Sequence, residues 1–217
     1  MCITTILFDL DDTLYPGDTG LWDELGERMN VYMRDYVHIP EGQIHDLRVK
    51  YYAEYGTTLK GLERFYGVKA EDYLAYVHDV DVTKFIHADP GLRDLLQTIS
   101  LRKVIFTNAD QGHAQRVTRA LGVDDCFEQI VDVLRMEPYC KPFPQAYDKV
   151  MEILGDPEPC HYLLLDDAVR NIESALNAGM NAILVNPCDD RPERMRRINC
   201  IHDLPAVLDP TTGEYHV

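Results

Sequence analysis

The sequence predicts an α/β fold: a doubly wound parallel sheet interrupted by a helical insert. Three observations lead there. Short, near-continuous apolar runs with β-branched residues recur at Ile3–Leu10, Lys103–Thr107, Gln129–Val133, His161–Leu165 and Asn181–Val185. Strands covered on both faces read this way. From about residue 88 onward, helical patterns with capping residues separate the runs, the order that gives a parallel sheet. The stretch 17–87 departs from that rhythm, with helical patterns and no convincing strand.

Taken in order, the first strand leads into ILFDLDDTLYP, where Asp9, Asp11 and Asp12 follow the apolar residues. The stretch 17–87 then reads as helices near 21–36, 41–55, 58–66 and 70–79. It holds eight of the thirteen tyrosines, together with Trp22 and Phe65. An insert directly after the first strand lies over the carboxyl ends of the strands, where open α/β sheets bind ligands. It is therefore expected to act as a lid. The division follows: a core of residues 1–16 and 88–217, and a cap of residues 17–87.

Asp89-Pro90 supplies an N-cap and a first helical residue for the face Leu92, Leu95, Leu96 and Ile99. Asp110 caps a helix that stops near Gly122. Pro142 is expected to open a helix carrying Tyr147, Val150, Met151 and Leu154 that stops at Gly155. Gly179 closes Asn171–Ala178. Asp203–Val217 reads as a loosely held tail.

Composition narrows the function. A formal charge of −16 argues against nucleic acid or an anionic membrane face as partner. Six cysteines without a C-x-x-C pair or zinc spacing read as reduced thiols of a cytoplasmic protein. No run of about 18 apolar residues is present to span a bilayer. The expected partner is a small molecule, on a monomer or homodimer.

Four polar stretches end strands or begin helices: Asp9-Leu-Asp11-Asp-Thr13, Thr107-Asn108, Lys141 in YCKPFPQAY, and Asp166-Asp167 with Asn171 four residues on. Each alone has a bland reading, as a strand-end turn, a solvated lysine or a helix cap. Parallel strands, however, put all their carboxyl ends on one edge. The four groups then converge as a nucleophile, an acid, a hydroxyl, a cation and a metal-binding carboxylate. Gly56–Gly61 has P-loop spacing, but Leu62 replaces the needed lysine. The four arginines between 191 and 197 read as a solvated face. His113 follows Thr107-Asn108 near a helix start and is a lesser candidate. Most tyrosines of 17–87 read as packing.

The order D-x-D-x-T, T-N, K-P, D-D-x-x-x-N resembles the haloacid dehalogenase (HAD) superfamily, specifically its phosphatases, over essentially the whole chain. TLYPGDTGLWDEL, YGTTLKGL and FTNADQGHAQRV resemble its pyrimidine 5′-nucleotidase-like branch. The resemblance implies Mg²⁺-dependent hydrolysis of a small phosphomonoester through an aspartyl-phosphate. Asp9 would be the nucleophile and Asp11 the acid and base. Asp9 is expected to stay ionised. A neighbouring carboxylate and lid closure are expected to raise the pKa of Asp11.

The resemblance further implies Asp9, the Asp11 main-chain carbonyl and Asp167 as metal ligands. Asp166 and Asn171 would support them, and Thr13 the turn. Thr107, Asn108 and Lys141 would hold phosphate, and Asp12 would cap the turn. Thr57 and Thr58 are candidates for contacting the leaving group. Ala168 stands where the family often has serine. A phosphomutase uses the same residues. A receiver-like signalling domain would instead phosphorylate Asp132 in QIVDV.

Overall fold

The computed structural model describes residues 3–185, 195–209 and 211–214. Its strands are β1 (Thr5–Phe8), β2 (Arg102–Phe106), β3 (Gln129–Val131), β4 (Tyr162–Asp166), β5 (Asn181–Val185) and β6 (Arg197–Ile198). They form one sheet in the order β3-β2-β1-β4-β5-β6, and every pairing is parallel. β1 and β4 are buried along their whole length, which explains their unbroken apolar sequence. Leu7 lies between Val104 of β2 and Leu164 of β4. The chain leaves β1 toward one side through β2 and toward the other through β4. Their carboxyl ends therefore flank the switch point at which such sheets hold ligands.

Between β1 and the core helices lie α1 (Leu21–Asp35), α2 (Glu41–Tyr55), α3 (Thr58–Tyr66) and α4 (Ala70–Val77). Helices α2 and α3 cross closely at Gly61, where an added Cβ would fall 2.1 Å from Tyr51 Cγ. Tyr32 of α1 packs against Tyr36, Tyr73 and Tyr76. These rings join α1 to α4, so much of the aromatic content of this stretch is packing.

The core helices are α5 (Pro90–Thr98), α6 (Gln111–Leu121), α7 (Pro144–Leu154) and α8 (Val169–Asn177). Asp89 accepts the Leu92 N–H at 2.8 Å and Asp110 the His113 N–H at 3.0 Å, as expected of N-caps. Gly122 and Gly155 close α6 and α7 in the left-handed conformation.

Two expectations are corrected. Helix α7 opens at Pro144, not Pro142. Pro144 takes the first helical position, where its missing N–H has no intrahelical partner to lose. The first part of the tail is packed rather than loose, because Leu204 and Leu208 are buried. Residues 210 and 215–217 lie outside the described residues. Of the arginine run, Arg191 and Arg194 also lie outside them, while Arg197 is exposed on the two-residue edge strand β6. Among the described residues no helix is long and apolar enough to cross a membrane. Cys126, Cys140, Cys160 and Cys200 are free thiols.

Candidate active site

The carboxyl ends of β1, β2 and β4 form the floor of a cavity of about 650 Å³, and α1, α2, α3 and α4 line the rest. At the floor's centre Lys141 is 1% exposed. Its Nζ donates to Asp9 Oδ1 at 2.7 Å and to Asp166 Oδ2 at 2.6 Å. A buried ammonium is costly unless paired. Burial pulls the lysine toward deprotonation, but Asp166 and Asp9 outweigh it and hold the charge.

Asp166 is fully buried, and four bonds converge on it. Besides Lys141, Oδ1 accepts the Ala168 N–H, and the Asn171 amide reaches both oxygens at 2.9 and 3.0 Å. Ala168 thus joins this network through its main chain, with no side chain required. Asp167, next in sequence, bonds none of these groups and lines the cavity.

Thr13 Oγ1 donates to Asp9 Oδ2 at 3.4 Å. Thr107 Oγ1 accepts the Ala109 N–H at 3.0 Å. Both polar atoms of the Asn108 side chain are engaged, which leaves its main-chain N–H for the expected phosphate contact. Its Nδ2 and Oδ1 bracket the main chain of Lys141 at 3.0 and 2.9 Å, which fixes the loop carrying the lysine. Any side-chain grip on an anion from this loop falls to Thr107. Asp12 does not cap the turn either. It holds a positive φ of 60°, its Oδ1 is buried without a partner, and it lines the cavity beside Trp22. Burial and the neighbouring Asp11 push it up to about 6.

Asp11 departs from expectation. Burial alone would raise its pKa, yet His113 and Tyr15 together bring it below the ordinary carboxylate value. His113 Nε2 lies 2.9 Å from Asp11 Oδ1, and Tyr15 Oη donates to the same oxygen at 2.5 Å. Among the described residues, no group bonds Oδ2. His113 is wholly buried and stacks on His78 at the end of α4, with ring centroids 4.4 Å apart. His78 in turn bonds Asp110, the cap of α6. Sequence reading left His113 a lesser candidate and missed Tyr15. Only its position four residues after Asp11 hinted at a shared site.

Asp132 fits no phosphoacceptor. Its oxygens accept the main-chain N–H groups of Gln111 and Arg135, both at 2.9 Å.

Thr57 and Thr58 line the cavity. Thr57 is the N-cap of α3, accepting the Lys60 N–H at 3.2 Å, and Thr58 is buried. This turn also meets the core. Gly56 sits at a φ of 84°, and an added Cβ would fall 2.8 Å from the Lys141 carbonyl oxygen. Arg170 of α8 stacks on Tyr52 and donates to the carbonyls of Tyr52 and Gly56. Cys140 Sγ donates to the Tyr55 carbonyl, and Lys60 pairs with Glu137.

The floor suits a hard cation. Carboxylate oxygens of Asp9, Asp166 and Asp167 all lie within 4.8 Å of one another. Burial, then the charges of Asp166 and Asp167, raises Asp9 well above the carboxylate range despite Lys141. The expectation that Asp9 stays ionised rests on a bound metal, whose positive charge would oppose this rise. Burial, Asp166 and Asp12 likewise push Asp167 up to about 7. Asn171 Oδ1 is buried without a partner. An all-oxygen set short of positive charge matches a divalent ion such as magnesium. Asp166 carries four hydrogen bonds and no exposure, whereas Asp167 lines the cavity without a bond to these groups and is the freest of the three to reach one.

A switch-point cavity floored by acidic groups and a buried lysine is the active-site arrangement of an α/β enzyme fold. The chain belongs to the haloacid dehalogenase-like hydrolases, whose family model matches residues 3–179. Phosphate metabolism protein 8 of Saccharomyces cerevisiae is 26% identical over 193 residues, covering 82% of this chain and 60% of that protein. The chain thus spans about 60% of the length of this relative. A HAD phosphatase from Thermococcus onnurineus superposes with a TM-score of 0.66 at 16% identity, covering 97% of this chain and 100% of that one. YfnB from Bacillus subtilis, solved bound to magnesium, gives 0.63 at 19% identity over 95% of this chain and 99% of that one. At such identities the likeness is one of fold.

Proposed function

We propose that this hydrolase is a magnesium-dependent phosphatase that cleaves a small phosphomonoester through an aspartyl-phosphate. The observation that carries the reading is the pairing of two unlike carboxylates at the end of β1. Asp9 is aimed by Lys141, while Asp11 is pinned through one oxygen with the other unbonded.

Asp9 attacks phosphorus, the bond to the leaving alkoxide breaks, and Asp11 Oδ2 gives that alkoxide its proton. Water then attacks the aspartyl-phosphate while Asp11 takes a proton from it, and inorganic phosphate and free Asp9 result. The depressed pKa of Asp11 is compatible with this order because an arriving phosphate dianion raises it. Lys141 holds Asp9 in line and offsets charge as the phosphoryl group approaches. Thr107 and nearby main-chain N–H groups receive its oxygens. Magnesium, held by Asp9, Asp167 and the Asp11 carbonyl, would supply charge neutralisation between carboxylate and phosphate.

The finer reading is a nucleoside 5′-monophosphate, pyrimidine in particular. It is supported by the resemblance of the segments around Thr13, Thr57 and His113 and by a cavity far larger than a phosphate. Dehalogenation would leave the His113–Asp11–Tyr15 arrangement and Asp167 without work.

The test is phosphate release from a panel of small esters, with and without magnesium, alongside halide release from 2-haloacids. Magnesium-dependent phosphate release without a bisphosphate activator is expected. A bisphosphate requirement would make the protein a phosphomutase, and halide release without phosphate release would overturn the reading.

A further inference from the structure

On the floor every cation is committed, but the cavity's roof holds donors without acceptors. Tyr73 of α4 lines the cavity and is 2% exposed, yet its hydroxyl has no hydrogen-bond partner. Arg48 of α2 lines the same space. Its Nη1 donates to the Gly26 carbonyl at 2.9 Å and to Asn30 Oδ1 at 2.7 Å. Those two bonds fix the guanidinium against α1, while Nε and Nη2 bond no group among the described residues. Tyr73 and Arg48 thus line one cavity, where burial pushes the Tyr73 phenol up and the charge of Arg48 pulls it back. His45, three residues before Arg48 and on the same face of α2, lines the cavity as well.

Other donors around the cavity are largely engaged: Lys141 binds two carboxylates, Arg170 donates both terminal nitrogens to carbonyls with only its Nε unpartnered, and His78 bonds Asp110. A buried hydroxyl without an acceptor persists where a ligand supplies one. An arginine held by one nitrogen keeps a planar edge for a pair of oxygens.

We propose that Arg48 and Tyr73 form a leaving-group subsite for oxygen acceptors at the end of the substrate far from its phosphate. A carbonyl-bearing heterocycle and a carboxylate share that chemistry. A cation is excluded by Arg48. The proposal rests on the phosphatase reading and specifies which esters it serves. A cavity of about 650 Å³ leaves room for a base and sugar, the size range of ordinary small-molecule sites.

The experiment compares kcat/KM with magnesium for uridine 5′-monophosphate, ribose 5-phosphate, 3-phosphoglycerate and p-nitrophenyl phosphate, in wild type, Tyr73→Phe and Arg48→Gln. Tyr73→Phe is expected to lower the ratio of uridine 5′-monophosphate to ribose 5-phosphate about tenfold, through KM rather than kcat. Its Tm should not fall, since the hydroxyl removed bonds nothing. Arg48→Gln should lower the same ratio at least as far. A loss confined to 3-phosphoglycerate would assign the subsite to carboxylates rather than to a base. Equal effects on all four esters, or none on either ratio, would overturn the proposal. Should wild type hydrolyse none of them, the phosphatase reading fails by itself. Calorimetric affinity for uridine 5′-monophosphate and ribose 5-phosphate then decides, and equal affinities would overturn the subsite.

Discussion

Floor and roof of the cavity are built on opposite plans. On the floor, Lys141 is tied to Asp9 and Asp166 through its side chain and to Asn108 through its main chain, and Asp166 accepts four bonds, so the charged groups are positioned by several partners. The roof leaves Tyr73 unbonded and Arg48 only partly bonded. A site that meets the same phosphoryl group in every substrate gains from fixed geometry. A site that chooses among leaving groups needs donors that the protein itself does not satisfy. The difference separates chemistry from selection, and substitutions in the two regions should behave differently.

Asp9→Asn tests the contrast most severely. It is expected to lower turnover by on the order of 10⁴-fold or more on every ester alike, with circular dichroism unchanged. Retention of a tenth of wild-type activity would remove Asp9 as nucleophile.

Asp166→Ala leaves the buried Lys141 with one carboxylate. Breaking such a pair costs about 3–5 kcal/mol, or roughly 6–20 °C in Tm for a chain of this size. Asp167→Ala should behave in the opposite way. Without magnesium it should melt no lower than wild type, because one carboxylate of a crowded group is gone. With magnesium at about 100 times its Kd, wild type should gain about 2.7 kcal/mol, near 5–11 °C, and this variant little. Thermal melts with and without the ion read both, and equal gains would deny Asp167 its place as ligand.

His113→Asn should lower kcat by roughly 10–100-fold on an alkyl phosphate, and less on an activated aryl phosphate whose leaving group needs no proton. A leaving-group series reads the slope. A slope no steeper than wild type would make His113 a packing residue.

The smallest effect belongs to the roof's rim. Thr57→Ala should cost about 1 kcal/mol through the lost cap of α3, some 2–4 °C. It should also raise KM for a nucleotide by less than Tyr73→Phe does. A larger rise would move the selecting contact from Tyr73 to the 57–58 turn.

The two regions also differed in what the sequence disclosed. Floor residues sit within a few positions of strand ends, so Asp9, Thr107 and Asp166 share a local signature that parallel pairing converts into proximity. Lys141 was readable only through its place in that order, since nothing local announces that it is buried between two carboxylates. Arg48 and Tyr73 lie on separate helices whose relation depends on packing, and no spacing links them. The lowered pKa of Asp11 escaped for a similar reason. The largest opposing influence, His113, is 102 residues away, and only the folded chain brings α6 beneath β1.

The contacts of the corner between α2 and α3 carry a mechanical consequence. Arg170, Cys140 and Glu137 hold this corner of the insert to α8 and to the loop before Lys141. A displacement that lifts the corner therefore pulls on the loop that presents Lys141 to Asp9. That corner of the insert and the placement of the lysine are thus one mechanical unit.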